Sequence, residues 1–230
     1  MGLFTSEYVH HFVEAKKLAF ADRAKYYADP KFNNIDISQL ISKEYAIERA
    51  KLISSSEAMK SVDAGILKDG DTIYLTTADK YGNMVSLIQS NYRGMGSGMV
   101  PPNLGFMLQD RGELFSLNKT HANSLIGGKR PFHTIIPGFV TQGGRPVLSF
   151  GVMGGHMQHQ GHLQMVSRIF DFGQNPQEAS DAPRWHVYPD LTVGLERGMP
   201  QSVFDGLKAR GHDVRYERLE SVFGLSLIHI

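Results

Sequence analysis

Apolar positions recur at helical spacing over residues 7–29, where Tyr8, Phe12, Ala15 and Ala19 share one face and Glu14, Lys16 and Lys17 fall mostly outside it. Alanine, lysine and leucine favour the helix, and Asp29-Pro30 ends it, because proline cannot continue the hydrogen-bond ladder. A second helix is expected over residues 38–54, with Leu40, Ile41, Tyr45, Ile47 and Leu52 on its apolar side. Residues 55–71 are polar and weakly patterned, as a linker is. After Gly70 the period changes from helical to alternating, which predicts strands over 73–78, 84–90, 105–108, 135–141 and 146–152, separated by Gly and Pro clusters. The first two flank a turn at 79–83 and read as a hairpin. A further helix is expected over 156–172, with Leu163, Val166, Ile169 and Phe170 apolar, followed by short elements at 176–180, 191–195 and 200–210. Helices, then strands, then helices give a layered α+β architecture without internal repeats.

Composition narrows the function classes. Lys+Arg number 24 against Asp+Glu 23, so no field of one sign directs the chain to nucleic acid or an anionic membrane. The absence of cysteine removes disulfides, a thiol nucleophile and thiolate metal sites. No apolar run approaches the ~20 residues that a membrane helix needs. The start, MGLFTSEYVHHF, lacks the basic and apolar regions of a signal peptide. The final hexapeptide, 225–230, reads LSLIHI, which matches one frame of a common sequencing-adapter end and is expected to be foreign, with the natural C-terminus truncated.

Several stretches carry candidate chemistry, each with a plainer reading beside it. Gly94-Met95-Gly96-Ser97-Gly98 lacks the spacing and lysine of a phosphate loop and is expected to be a turn that lets backbone approach a site. His156, His159 and His162 are spaced three apart, which could place two on one metal of a metal-dependent hydrolase. Glutamines interleave them and no carboxylate sits nearby, so structural roles are expected and no metal. Gly154-Gly155, between an apolar strand and a helix, is either a simple turn or a pair of N–H donors aimed at an oxyanion. In GKRPFHT, the proline fixes the entry to a strand, while His133 and Thr134 could face a polar ligand. Arg111 follows a strand and could bind a carboxylate bidentately; its plainer reading is a surface ion pair with Asp110 or Glu113. Thr72, after Gly70-Asp71, reads locally as a β-branched strand opener, because a threonine hydroxyl is a poor nucleophile without a base beside it.

Taken in order, EAKKLAFADRAKYYADP, DTIYLTTADKYGNMVSLIQS, GMGSGMV, GKRPFHTIIP, FGVMGGHMQ and EASDAPRWH resemble the gamma-glutamyltransferase (glutathione hydrolase) family of N-terminal-nucleophile hydrolases, from about His10 to Gly224. The resemblance implies a four-layer αββα sandwich, only partly contained in this chain. Residues 1–71 would be the end of a large subunit with its linker, and residues 72–230 most of the small, catalytic subunit. It implies a precursor that cuts itself between Asp71 and Thr72, leaving Thr72 as nucleophile with its own α-amine as base. Ser90 matches the hydroxyl that hydrogen-bonds the nucleophile, and Gly154 and Gly155 match the oxyanion pair. Asn91 and Tyr92 lie where the substrate's amino-acid end is held, and His133 and Thr134 where its carboxylate is bound. The expected substrate is a small γ-glutamyl amide such as glutathione, attacked without any cofactor, and the expected partner is the missing large-subunit portion. Thr72 is followed by Ile73-Tyr74 rather than Thr-His, and Leu108-Gln109-Asp110-Arg111-Gly112 replaces the usual amine-gripping residues. A glutaryl or oxamate-type amide bound through Arg111 is therefore the alternative substrate. A non-catalytic, unprocessed fragment is the alternative function. Periplasmic and cytoplasmic settings both stay open, since a signal region would precede Met1.

Overall fold

A computed structural model describes residues 2–61, 71–224 and 226–229. Along the chain run α1 (Ser6–Tyr26), α2 (Ile37–Leu40), α3 (Lys43–Ala50), the strands β1 (Asp71–Ala78), β2 (Met84–Tyr92), β3 (Gly138–Gln142) and β4 (Arg145–Val152), then α4 (Met157–Val166) and α5 (Pro176–Asp181), β5 (Trp185–Val187), β6 (Val193–Leu195), α6 (Gln201–Ala209), β7 (Val214–Tyr216) and β8 (Ser226–His229). They divide into two compact units. One holds residues 1–66, 112–132 and 187–216; the other holds 67–111, 133–186 and 217–230. Most of the expected linker, 62–70, lies outside the described residues.

In the first unit α1 begins at Thr5, whose side chain accepts from the Tyr8 N–H and so satisfies one of the helix's unpaired donors. The face it buries overlaps the expected one only in part, with Tyr8 buried and Phe12 half-buried. Ala15 and Ala19 stay exposed, whereas Glu14, Lys16 and Lys17 are buried. Each charge is answered locally. Lys17 Nζ lies 2.7 Å from Glu14 Oε1 and donates to Met59 O at 3.1 Å, and Glu14 Oε2 accepts from Met59 N at 2.9 Å. Lys16 donates to Val187 O at 2.7 Å and lies over the Phe20 ring, a cation–π contact. His10 and His212 complete this polar seam, with His10 Nδ1 2.7 Å from His212 Nε2 and His10 Nε2 2.7 Å from Ser54 O.

The single helix expected over 38–54 is two. Ser42 caps α3 by accepting from Tyr45 N, which separates it from the short α2. Neither helix buries a residue, and Ile41, Ile47 and Leu52, expected on an apolar contact face, are exposed. Arg49 instead ties α3 to α1, donating to both Asp22 carboxylate oxygens and to Leu18 O, and a pocket of about 250 Å³ remains between the helices. Asp29, after α1, accepts from Arg130 N at 3.0 Å and Nη2 at 3.0 Å, which holds its carboxyl below the ordinary carboxylate range.

In the second unit β1 and β2 form an antiparallel hairpin, and β4 lies between β3 and β8 in an antiparallel sheet of three. The strand expected over 105–108 is irregular backbone, pinned by Leu108 N to Met99 O and Asp110 N to Asn91 O rather than by a ladder. Leu148, Phe150, Val152, Met165 and Ala179 make the core, so β4 packs under α4 and α5. The apolar face expected for the 156–172 helix is also displaced. Leu163 and Phe170 are exposed, while Met157, Gln158, Gly161, Gln164 and Met165 are buried. Gly161 allows this, because a Cβ there would sit 2.5 Å from Val152 Cγ1. Gln164 then brackets Trp185, donating to its O and accepting from its N.

Two outcomes follow for stability. A Cβ on Gly151 would lie 2.3 Å from the Tyr74 ring, whose hydroxyl is fixed on Ser86. Gly151→Ala should cost about 1–3 kcal/mol in urea unfolding. Burial first, then the charge of Lys17, lowers His212 from 6.5 to about 3, so it is neutral when folded and protonates readily when unfolded. Its contribution is complete above pH 6.5 and is lost as pH falls toward 3; Asp29, with its depressed pKa, adds acid loss below 3.8. Stability measured against pH should fall between pH 6.5 and about 3 by at most about 1.4 kcal/mol per pH unit for the proton on His212. His212→Gln should flatten the His212 portion.

Candidate active site

Thr72 stands at a break in the β1–β2 register. Asp71 pairs with Tyr92 and Ile73 with Gln89, so Ser90 and Asn91 together oppose Thr72. A bulge of this kind re-aims the side chains next to it. Thr72 is 5% exposed, and its Oγ1 donates to Ser90 Oγ at 3.2 Å. Across the bulge Tyr92 adopts φ 78°, a left-handed conformation that costs a bulky residue about 1–3 kcal/mol. The turn is held by Tyr92 N donating to Ser90 Oγ at 2.9 Å, with the buried ring 5.4 Å from the Arg111 guanidinium.

Arg111 is not on the surface. It is 1% exposed, and it donates through Nη1 to Ser90 O at 3.0 Å and through Nη2 to Ser90 Oγ at 3.0 Å. The same Nη2 lies 3.4 Å from Thr134 Oγ1, and Nε has no hydrogen-bond partner among the described residues. Among the described residues Arg111 makes no ion pair with its neighbour Asp110, whose Oδ1 accepts from Arg93 N. Burial pushes the guanidinium pKa down, while Tyr92 and Asp110 raise it. A buried cation with hydroxyls and a carbonyl for partners, but no acid, keeps an unmet electrostatic demand.

The 94–98 glycine turn packs on the segment leading to Arg111. Ser97 N donates to Leu108 O at 2.9 Å, and a Cβ on Gly96 would lie 2.5 Å from that oxygen. Thr134 is fully buried and reaches Arg111, whereas its neighbour His133 is exposed. Asn91 contributes its backbone carbonyl, which accepts from Asp110 N.

Gly154 and Gly155 both have positive φ, 104° and 54°, which favours glycine, and their carbonyls accept from Met157 N and Gln158 N to start α4. Neither glycine N–H donates to an acceptor among the described residues. Gly224 backs this turn, with its Cα 3.3 Å from where a Gly154 Cβ would stand, and Arg184 holds the Phe223 and Gly224 carbonyls. From the first turn of α4 the wholly buried Gln158 donates through Nε2 to Thr72 Oγ1 at 3.3 Å. Sequence reading missed this residue; its signal was membership in the helical stripe 157, 158, 161, 164, 165, which glutamine's polarity masked.

The histidines after the glycine pair are engaged separately. His156 Nε2 is 3.4 Å from the Tyr92 hydroxyl, while His162 Nε2 accepts from Val152 N, and burial lowers His162 to about 4. The other histidine cluster, His10, Glu14 and His212, has ligand atoms within 4.8 Å of one another. Lys17 already places an ammonium on its carboxylate, and the two rings are at hydrogen-bond spacing. It serves as a polar seam of the first unit.

The gamma-glutamyltranspeptidase family profile matches residues 1–228. The chain belongs to that family. It is 39% identical over 180 residues to a glutathione hydrolase-like YwrD proenzyme of Bacillus subtilis strain 168, which covers 78% of this chain and 34% of the relative. It is 35% identical over 211 residues to an oxamate amidohydrolase proenzyme of Klebsiella pneumoniae, covering 90% of this chain and 40% of the relative. Among solved structures it is similar to a cephalosporin acylase from Bacillus halodurans, with TM-score 0.90 and 46% identity over 97% of this chain and 41% of the other. An acivicin-inhibited gamma-glutamyltranspeptidase, whose C-terminus is described as critical for autoprocessing and catalysis, matches with TM-score 0.59 and 27% identity over 67% of this chain and 86% of the other. These likenesses give the α+β fold of the N-terminal-nucleophile hydrolases. The chain spans about two fifths or less of the length of the two proenzymes and of the cephalosporin acylase.

Proposed function

We propose that this gamma-glutamyltranspeptidase-family chain belongs to a self-cleaving threonine amidohydrolase or acyltransferase, with Thr72 as nucleophile. The observation that carries the reading is the Thr72 hydroxyl, buried at the bulged start of β1 on Ser90 and Gln158, one peptide bond after Asp71. In cleavage Thr72 Oγ1 attacks the Asp71 carbonyl carbon. The hydroxyl proton passes to the peptide nitrogen, the C–N bond breaks, and that nitrogen leaves as the Thr72 α-amine. Water then hydrolyses the resulting ester, giving an Asp71 carboxylate and a free threonine hydroxyl. The freed amine, with a reference pKa of roughly 8, is then the base that takes the hydroxyl proton.

In turnover Thr72 attacks a substrate amide, expels its amine and holds the acyl group as an ester. Water or a second amine releases it. The Gly154 and Gly155 N–H groups would stabilise the tetrahedral oxyanion. Asn91, Tyr92 and Thr134 would line the substrate side, and exposed His133 would act at its edge. Arg111 supports a carboxylate-bearing substrate, because a guanidinium buried without an acid gains most from a ligand that supplies one. That fits γ-glutamyl, glutaryl and oxamate-type amides alike. Residues 1–71 would then be the end of the large subunit, with the remaining large-subunit portion as partner.

Two outcomes test this at the length of the relatives. Intact-mass and N-terminal sequencing should find a cut between Asp71 and Thr72, and Thr72→Ala should leave one uncut species; an uncut wild type would establish the unprocessed alternative. Processed protein assayed against paired amides, one with a carboxylate and one with a carboxamide in its place, should favour the carboxylate by at least about tenfold, as a charge-assisted bond of ~1.5–3 kcal/mol requires. Arg111→Lys should shrink that ratio, and equal rates on both amides would remove Arg111 from substrate binding.

A further inference from the structure

Gln158 has a defined polarity. Its Oε1 accepts from the backbone N of Ile136 at 3.1 Å, and an N–H group can only donate. The oxygen of the amide must therefore face Ile136, and Nε2 must face Thr72 Oγ1, 3.3 Å away. The assignment of amide oxygen and nitrogen thus follows from a backbone donor that cannot reverse. One lone pair of the Thr72 hydroxyl is taken by Gln158, and the hydroxyl proton is turned toward Ser90 Oγ at 3.2 Å.

The same residue is bonded to the glycine turn. Its backbone N donates to Gly155 O at 3.2 Å, one residue after Met157 N donates to Gly154 O at 2.9 Å. Its side chain is wholly buried, and Gly161 lets α4 lie close on β4. A single residue therefore fixes the distance between the Thr72 hydroxyl and the Gly154-Gly155 N–H groups, through main chain on one side and amide on the other.

We propose that Gln158 is a catalytic residue of this site: its Nε2–H stabilises negative charge as it develops on Thr72 Oγ1, and its backbone holds the Gly154-Gly155 turn in register with that atom. The inference rests on Thr72 being the nucleophile. Charge on Oγ1 is greatest as its proton leaves and falls once the oxygen becomes an ester. A donor aimed at it therefore binds the transition state more tightly than either the free hydroxyl or the acyl-enzyme.

The test uses wild type, Gln158→Met and Gln158→Glu at the length of the relatives, each checked for cooperative urea unfolding. Methionine keeps the length of the side chain and removes the donor. Self-cleavage and turnover should both slow by about 10–100-fold, the range of one charge-assisted hydrogen bond, with KM held within about twofold. Glutamate keeps an acceptor for Ile136 N but presents a carboxylate to Thr72 until it is protonated, and burial raises the pH at which that happens. The rate of Gln158→Glu relative to wild type should therefore climb as pH falls from 8 to 5, while the Gln158→Met ratio stays flat. A purely structural role would move neither ratio with pH. If the glutamate variant does not fold, Gln158→Met decides through the split between kcat and KM. Wild-type kcat and cleavage rate in Gln158→Met, or parallel flat pH ratios in both variants, would overturn the proposal. Failure of wild type itself to cut at Asp71-Thr72 would instead overturn the nucleophile on which it rests.

Discussion

The register break between β1 and β2 sets the surroundings of Thr72 in the second unit. In an unbroken ladder one residue of β2 would oppose Thr72, and side chains would alternate in and out along both strands. With Ser90 and Asn91 sharing that place, Ser90 Oγ turns under the chain and accepts from three donors: Thr72 Oγ1, Tyr92 N and Arg111 Nη2. The left-handed backbone of Tyr92 is the conformational cost of that arrangement, and its own N–H bond to Ser90 helps offset it. Removing the bulge would separate the hydroxyl of Ser90 from Thr72 and from the guanidinium together.

Much of this was legible in the sequence, and the parts that were not share a cause. The hairpin, the strand β4 and the helix after the glycine pair all follow from period and turn chemistry, whereas α1 stops at Tyr26, before the expected terminator at Asp29-Pro30. The buried faces do not. On α1 the alanines were expected inside, and over 156–172 Leu163 and Phe170, yet both buried stripes mix apolar residues with polar ones, Glu14, Lys16 and Lys17 on α1 and Gln158, Gln160 and Gln164 on α4. Apolar periodicity finds a face only where burial is achieved with apolar groups. Where lysine, glutamate or glutamine is buried with its hydrogen bonds met, the stripe is present but carries the wrong chemistry for that test. The strand expected over 105–108 failed for a related reason, since the N–H and carbonyl of Leu108 pair with Met99 O and Ser97 N of the neighbouring turn instead of a ladder.

Arg111 shows the same limit at the candidate site. Read locally, a strand-end arginine between two acids is a surface ion pair. Folded, it donates to Ser90 and lies beside Thr134, which no local window contains. The resemblance drew Thr72, Ser90, Arg111 and Thr134 into one candidate site because it used the order of motifs across the chain, and the fold brings these four side chains together. It could not supply Gln158, whose contact with Thr72 spans 86 residues of sequence.

The neighbours of the Thr72 hydroxyl also bear on why a precursor would be inert before cleavage. Ser90 offers it a hydroxyl oxygen already accepting from a guanidinium, and Gln158 offers an amide N–H; neither group takes a proton near neutral pH. Both stabilise charge that arrives on Oγ1 without creating it. In the proposed mechanism the missing function is a base, and the cleaved peptide bond supplies one as the α-amine of the same residue. A peptide nitrogen is not basic, whereas the amine it becomes has a pKa of roughly 8. On that proposal the hydroxyl's activation for turnover waits on its own backbone, and the Asp71–Thr72 bond would be both the first substrate and the switch.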